Sequence, residues 1–436
     1  MDVAGGPKPS VALLRSHTPV DIALLSYEYP PETGFGGIGT YSYYHARALA
    51  RLGHRVHVFA GSQKRGTYES EHDGVRVTRI KLEGWLHRVL EPARQQRWWW
   101  FHNRVETAYA LYVALRKAAE REHFDIVEAP ECGGDASAVG TMLELPVAIR
   151  FHSPARLIMD MYDVPRMDRE LTAFVEQIAI NRATVRTSCS EFLAKEVQAQ
   201  MHVPAPVHVI PNGIDVALFD RDDSIDVRER FGIPADAMVV LFANRMEERK
   251  GIHVVGEVAE QILRKYPHVH FVLAGRDLFN YVKDRVLPPL QAAGVADRVH
   301  AVGGLPLPEV RALLKRCSIF LLPSLWENSP YSCIEAMTAG RAIVGSDCGG
   351  IPELIAHREN GLLARTGFAG SFVQRLEELI ESAELRESLG AAARRTVEVR
   401  LTDTRVAQQT VELYETVLQK GSAGKRPPAP PGVRRP

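Results

Sequence analysis

The chain has 436 residues, 45% hydrophobic and 24% charged, with 53 basic residues balanced by 53 acidic ones. That length exceeds one small core and makes two domains the starting expectation. A formal net charge of zero gives no electrostatic reason to expect nucleic acid as a partner.

Residues 1–20 lack the continuous apolar core of a secretion signal and read as a flexible leader. Short apolar runs then alternate with helical patterns. The first half gives strands at 21–27, 55–61, 75–80, 125–130, 146–152, 185–190 and 207–213. After the first strand, Tyr41, Tyr44, Ala48 and Leu52 share one helical face, and Gly53 is placed to end that helix. The second half repeats the logic at 238–244, 269–275, 299–303, 318–324 and 341–346. Strands apolar on both faces and joined by helices predict parallel sheets covered on two sides. The composition turns polar near 215–234, so the junction is placed at about residue 218. The expected division is a first Rossmann-like domain over 21–218, a second over 219–402, a C-terminal helix over 403–419 and a disordered Pro/Gly/basic tail over 420–436. No apolar run approaches the ~18 residues needed to cross a bilayer. Cys132, Cys189, Cys317, Cys333 and Cys348 are scattered without CxxC spacing, which reads as reduced thiols in a cytoplasmic protein rather than a disulfide frame or zinc site.

Three segments carry chemistry. "GFGGIG", residues 34–39, fits G-x-G-x-x-G after a strand. The intervening Pro30-Pro31 and a second strand ending "VFAGSQK", with no ribose-binding acid, argue against a dinucleotide fingerprint. Such a loop can still approach an anionic ligand closely, or be glycine-rich only for turning. "NRMEERKG" presents Arg245 and Lys250 at the end of the first strand of the second domain, a pair suited to a diphosphate unless it is a solvated charge run. "WENSPYSCIEAM" places Glu327 in an exit loop and Glu335 in a helix. Ser329 reads as its N-cap, Pro330 as its first residue and Gly340 as its stop. The amides near Tyr331 and Ser332 then mark an anion site between two carboxylates able to hold sugar hydroxyls. A solvent-facing Glu335 and a helix-entry Glu327 are the alternative.

In this order the motifs resemble the retaining glycosyltransferases of family four. The matching pieces are "YPPETGFGGIGTY", "LGHRVHVFAG", "RFHSP", "VIPNGID", "RMEERKG", "ENSPYSCIEAM", "GSDCGGIPELI" and "NGLLA". The resemblance implies the GT-B architecture, two Rossmann-like domains facing across a cleft, and transfer of a hexose-type sugar from a UDP- or GDP-linked donor. It implies a glycan, lipid-linked sugar or small metabolite as acceptor, with no metal or other cofactor. Gly36 and Gly37 would lie near the donor phosphates and acceptor, and His152 near the reacting sugar. Arg245 and Lys250 would neutralise the diphosphate, Glu327 would hold donor-sugar hydroxyls, and Glu335 the ribose. The chain departs from the family at Asn244 and Pro330, where many members have glycine. Proline has no N–H, so a phosphate there must use the amides that follow.

Trp98, Trp99 and Trp100 cannot all face one core, because helical neighbours point about 100° apart. They are either buried between helices or in an oligomer contact, or form an acceptor-binding or membrane-surface patch, which would make the protein peripheral at the inner membrane surface. The rival functions are a sugar-nucleotide epimerase of the same architecture and a non-catalytic sugar-nucleotide-binding protein.

Overall fold

The computed structural model describes residues 18–34, 36–83, 88–89, 98–201, 203–204, 206–221 and 224–423. The leader up to residue 17, the first four residues of the Arg/Trp segment 94–104 and the tail from 424 lie outside them. Every strand expected from an apolar run is present. The first sheet contains β1 (Asp21–Leu25), β2 (Arg55–Gly61), β3 (Thr67–His72), β4 (Val75–Ile80), β5 (Ile126–Pro130), β6 (Val147–Phe151), β7 (Val185–Ser188) and β8 (His208–Val209). Its order is β3-β4-β2-β1-β5-β6-β7-β8. The second contains β9 (Met238–Ala243), β10 (Val269–Ala274), β11 (Val299–Gly303), β12 (Ile319–Leu322), β13 (Ala342–Ser346) and β14 (Leu362–Ala364), in the order β11-β10-β9-β12-β13-β14.

The sheets are parallel as expected except at one edge. β3 pairs antiparallel with β4. Its sequence, TYESEH, is polar and largely exposed, so no apolar run announces it. β14 is a three-residue edge strand, too short to be seen in the sequence pattern. Elsewhere the physics is the anticipated one. β1, β5 and β6 are buried throughout, as parallel strands with both faces covered must be. The helix Ile252–Lys265 buries Ile252, Val255, Val258, Ala259, Ile262 and Leu263, a stripe of helical period.

Chain reversal fixes where ligands can sit. In the first sheet β1 lies between β2 and β5, and in the second β9 lies between β10 and β12. At each of these points successive connections leave in opposite directions, which opens a crevice at the carboxyl ends of the strands. Ile214, Leu218, Phe219 and Val227 pack in the core that also holds Leu241, Phe320 and Ile334 of the second domain. The chain crosses back at a parallel bridge between Ile214 and Thr402.

The C-terminal helix runs from Asp403 to Ala423, further than the sequence suggested. It packs on the first domain, where Ala407, Val411 and Tyr414 join Ile22, Leu24, Ala46 and Leu49 in one core. A polar anchor lies within that contact. The Glu128 carboxylate accepts from Tyr41 Oη at 2.7 Å, faces His45 Nε2 at 3.0 Å and accepts from Tyr414 Oη. Burial alone would raise this carboxyl, but His45 and the two phenols outweigh it and hold it at about 2. A carboxyl depressed below its ordinary value stabilises the fold above pH ~4.5 and loses that contribution as pH falls toward about 2. No helix among the described residues is long and apolar enough to cross a membrane.

Replacing Tyr414 by Phe keeps the packing and removes one hydrogen bond to a buried charge. Urea denaturation should show a loss of about 1.5–3 kcal/mol, with the transition midpoint lowered. An unchanged midpoint would mean that the helix is held by apolar contact alone.

Candidate functional site

All four strand ends at the two reversal points carry polar residues. β1 leads to Glu28 and the glycine loop, and β5 to Glu131. β9 leads to Asn244, Arg245 and Lys250, and β12 to Ser324 and Glu327. His152 follows β6, immediately beside β5.

Glu327 and Lys250 are not separate groups. They form a buried ion pair, and Glu327 also accepts from Ser324 Oγ at 3.0 Å. Arg249, which the sequence reading left inside a charge run, is the third member. Its Nη1 lies 3.6 Å from Glu327 and 3.1 Å from the Trp326 carbonyl oxygen, and its Nη2 lies 3.1 Å from Glu247. Burial would raise the Glu327 carboxyl, but Lys250 and Arg249 outweigh it and hold it below its ordinary value. Arg245 stands apart at the cleft surface, 48% exposed and 3.2 Å from Glu247. Of the two cations singled out from the sequence, Lys250 is therefore built into the wall and Arg245 is open to solvent.

The loop bearing Glu327 is fixed by close backbone contact. A Cβ at Gly349, whose φ is +59°, would fall 2.0 Å from the Glu327 carbonyl oxygen, and one at Gly350 would fall 1.7 Å from that of Asn328. Only glycine permits that approach, which gives the "CGG" of the sequence a mechanical role.

The helix after this loop begins one residue later than expected. Pro330, at φ −70° and ψ 122°, is its N-cap, and the helix spans Tyr331–Thr338. Ser329 does not cap it. The Ser329 hydroxyl is buried without a hydrogen-bond partner, while its carbonyl accepts from Asn212 Nδ2 at 3.0 Å. The extended ψ of Pro330 delays the helix to Tyr331 and leaves Ser329 two residues before the first helical position. Tyr331 and Ser332 therefore occupy the first two helical positions, where backbone N–H groups have no intrahelical acceptor. Ser332 Oγ donates to Asn244 Oδ1 at 3.3 Å, so the asparagine that replaces a family glycine helps to hold the helix start. Glu335 is half-buried, and burial pushes its carboxyl up to about 7 against the attraction of Arg311.

The two walls touch. Gly37, the first residue of the helix Gly37–Arg51, would place a Cβ 4.0 Å from the Tyr331 ring, and Gly36 is that helix's N-cap. Tyr331 Oη donates to the Gly213 carbonyl at 3.2 Å, and Asn328 Nδ2 donates to the His152 carbonyl. Arg249 Nε donates to Tyr162 Oη at 3.1 Å. The Glu353 carboxylate takes the amides of Glu191 and Phe192 at 2.8 and 2.7 Å. His152 itself is held through its backbone, whose N–H lies 2.9 and 2.8 Å from the two oxygens of Glu131. Its ring packs 4.9 Å from that of Tyr41. Burial and the neighbouring Arg150 push it well below its ordinary pKa, so the imidazole is neutral.

Four buried polar atoms in this region have no hydrogen-bond partner among the described residues: His152 Nε2, Asn244 Nδ2, Asn328 Oδ1 and Ser329 Oγ. An unpaired buried polar atom costs about 1–3 kcal/mol, so atoms of this kind are suited to meeting a hydroxyl- and oxyanion-bearing ligand. A possible metal-holding group among the described residues, Asp21, His123 and Asp125, lies where β1 and β5 begin, at the opposite edge of the sheet.

The tryptophans divide. Trp98 and Trp99 are 43% and 44% exposed, whereas Trp100 packs with Ala155, Met159 and Ala173. Asp168 holds the start of their helix through the amides of Trp100 and Phe101, at 3.0 and 2.7 Å.

Residues 35–218 match Glycosyltransferase Family 4, and residues 223–396 match Glycosyl transferases group 1. Among curated proteins the chain is 28% identical to an MMP alpha-(1->4)-mannosyltransferase of Mycolicibacterium hassiacum, covering 92% of this chain and 99% of that one. It is 25% identical to the glycogen synthase of Mycobacterium tuberculosis, over 94% and 97%. Among known structures, sucrose-phosphate synthase from Thermosynechococcus elongatus superposes with a TM-score of 0.73 at 20% identity, covering 92% of this chain and all of that one. Anabaena HepE in complex with UDP-glucose superposes with a TM-score of 0.68 at 18% identity, over 91% and 99%. With a family match on each side of the cleft, and two parallel-sheet α/β domains like those of GT-B enzymes, the chain belongs to the family-four (group 1) glycosyltransferases.

Proposed function

We propose that the protein is a retaining, metal-independent glycosyltransferase that moves a hexose-type sugar from a nucleotide-sugar donor, UDP- or GDP-linked, to a hydroxyl of a glycan, lipid-linked sugar or small metabolite. The observation that carries this reading is the buried Lys250–Glu327–Arg249 cluster beside the start of the helix Tyr331–Thr338. A helix start and two cations suit a diphosphate. The carboxylates on either side suit hydroxyls: Glu335 those of the ribose and Glu327 those of the transferred sugar. HepE, a structural neighbour, is known in complex with UDP and with UDP-glucose, and a starch synthase neighbour with ADP. We place this chain's activity in the cytoplasm, with Trp98 and Trp99 as the candidate contact to an acceptor or membrane surface.

The proposed chemistry needs no protein base. His152 is neutral and buried, able to hydrogen-bond a sugar hydroxyl without taking a charge. As the anomeric bond breaks, negative charge grows on the leaving diphosphate, which Arg245, Lys250 and the Tyr331 and Ser332 amides would stabilise. The same phosphate would accept the acceptor's proton on the face from which it leaves, so that the anomeric configuration is retained.

A thermal-shift panel of UDP-, GDP- and ADP-sugars tests the reading. The cognate donor at about 100 times its Kd should stabilise the fold by about 2.7 kcal/mol; no shift with any of them would contradict it. Lys250→Ala should lower kcat/KM on the order of 100-fold or more, while circular dichroism shows that the variant stays folded. Wild-type turnover in that variant would remove the diphosphate assignment. Donor hydrolysis without epimerised product separates transfer from the epimerase and non-catalytic alternatives.

Glu335 adds a pH dependence. Its folded carboxyl, at about 7 against an ordinary 4.5, is largely protonated below neutrality and then accepts fewer hydroxyl bonds. Donor KM should therefore rise as pH falls from 8 to 6, and Glu335→Gln should flatten that rise. An equal slope in both proteins would assign the titration elsewhere. Because this carboxyl is raised, ionising it costs stability as pH climbs from about 4.5 through 7, the reverse of Glu128.

A further inference from the structure

A cavity of about 500 Å³ lies where the chain crosses back between the domains, and it shares no residue with the donor site. Three segments form it. β8 and the residues after it give His208, Val209 and Pro211. The helix Ala383–Arg400 ends in it with Arg400, and packs through Ala393 and Val397 in the core that holds Leu241 and Phe320. The returning helix Asp403–Ala423 gives Arg405 and Leu413.

Its charge is one-sided. Arg400, Arg405 and His208 line it, and no acidic side chain does. Glu398 and Asp403, each two residues before one of the arginines, are engaged elsewhere. Glu398 accepts from Arg394 Nε at 2.7 Å, and Asp403 accepts from Arg51. Among the described residues, the side chains of Arg400, Arg405 and His208 have no hydrogen-bond or ion-pair partner. Two like charges facing one space repel, and an anion placed between them is attracted to both. A guanidinium binds two phosphate oxygens in a fork, and an imidazole supplies a further N–H. The volume exceeds what a bare phosphate fills and falls within the range of small-molecule sites, about 300–1,000 Å³. Val209, Pro211 and Leu413 offer the rest of such a ligand an apolar wall.

The loop that lines this cavity also reaches the donor site. The carbonyls of Ile210 and Pro211 accept from Arg150 Nη2 at 2.9 and 3.2 Å. The next residue, Asn212, donates to the Ser329 carbonyl at 3.0 Å, and the Gly213 carbonyl accepts from Tyr331 Oη at 3.2 Å. A ligand that draws β8, Arg400 and Arg405 together favours the domain arrangement in which these bonds are made. Such differential binding is what lets a ligand shift a conformational equilibrium.

We propose that this cavity is an effector site for a small phosphate monoester, held by Arg400, Arg405 and His208, and that its occupancy raises affinity for the donor at the helix Tyr331–Thr338. The binding part stands apart from the glycosyl-transfer reading above, and the coupling part rests on it.

Isothermal titration of the full-length protein tests both parts, with glucose 6-phosphate as probe and methyl glucoside as its uncharged control. Glucose 6-phosphate should bind and methyl glucoside should not. Arg400→Ala combined with Arg405→Ala should weaken that binding about tenfold or more, while Arg245→Ala, in the donor cleft, should leave it unchanged. Both hinge arginines are exposed, so circular dichroism should show the double variant folded. No binding, equal binding of methyl glucoside, or binding kept in the double variant would overturn the site. Saturating glucose 6-phosphate should tighten the cognate nucleotide diphosphate about fivefold in the wild type, and have no such effect in the double variant. An unchanged nucleotide affinity in the wild type would overturn the coupling. If no nucleotide binds in either state, the donor reading has failed instead, and the titration with glucose 6-phosphate still decides the cavity.

Discussion

The site depends on one buried carboxylate being kept charged. Glu327 is 6% exposed, and a lone charge there would be expelled or neutralised. Lys250 and Arg249 prevent this, and each also connects the carboxylate to something else. Lys250 arrives from the loop after β9, so the pair joins the ends of adjacent strands across the reversal point of the second sheet. Arg249 continues through Tyr162 into the first domain. Buried ion pairs are poor sources of stability, since desolvation consumes much of their attraction, but removing one partner costs about 3–5 kcal/mol. Such a cluster is better understood as a device that sets geometry.

A second charged anchor lies within the first domain. Glu128, held by Tyr41, His45 and Tyr414, fastens the returning C-terminal helix to the first domain. Tyr41 also packs against His152, and Arg150 lies over the Tyr41 ring at 4.1 Å while donating to Asn212 Oδ1 at 3.0 Å. Asn212 in turn holds Ser329 beside the start of the helix Tyr331–Thr338. The domain fastening and the two walls of the cleft thus share side chains, and the distance between those walls is set by contacts that run through both cores.

Much of this was legible in the sequence, for identifiable reasons. Parallel strands buried on both faces announce themselves as apolar runs, and the two halves repeated that pattern. β3 was missed because an exposed antiparallel edge needs no apolar residues, and β14 because three residues carry no period. The candidate residues Arg245, Lys250, Glu327 and Glu335 were singled out by type and position. Their pairing was not, because Lys250 and Glu327 are 77 residues apart and only the order of β9 and β12 brings them together. Arg249 was hidden for the same reason, since a charge run looks solvated until its partners are known. Ser329 was misread because residue preference favours serine as a cap and proline as a first helical residue, whereas Pro330 here is extended and is itself the N-cap. Glu131 could have been noticed, as an acid directly after a buried strand.

The most direct test of the donor site is a crystal structure with the cognate nucleotide diphosphate bound. The expected complex has the diphosphate between Arg245, Lys250 and the amides of Tyr331 and Ser332, with the ribose hydroxyls on Glu335 and Lys250 shared between phosphate and Glu327. A nucleotide bound away from the start of that helix, with the Lys250–Glu327 pair untouched, would contradict it.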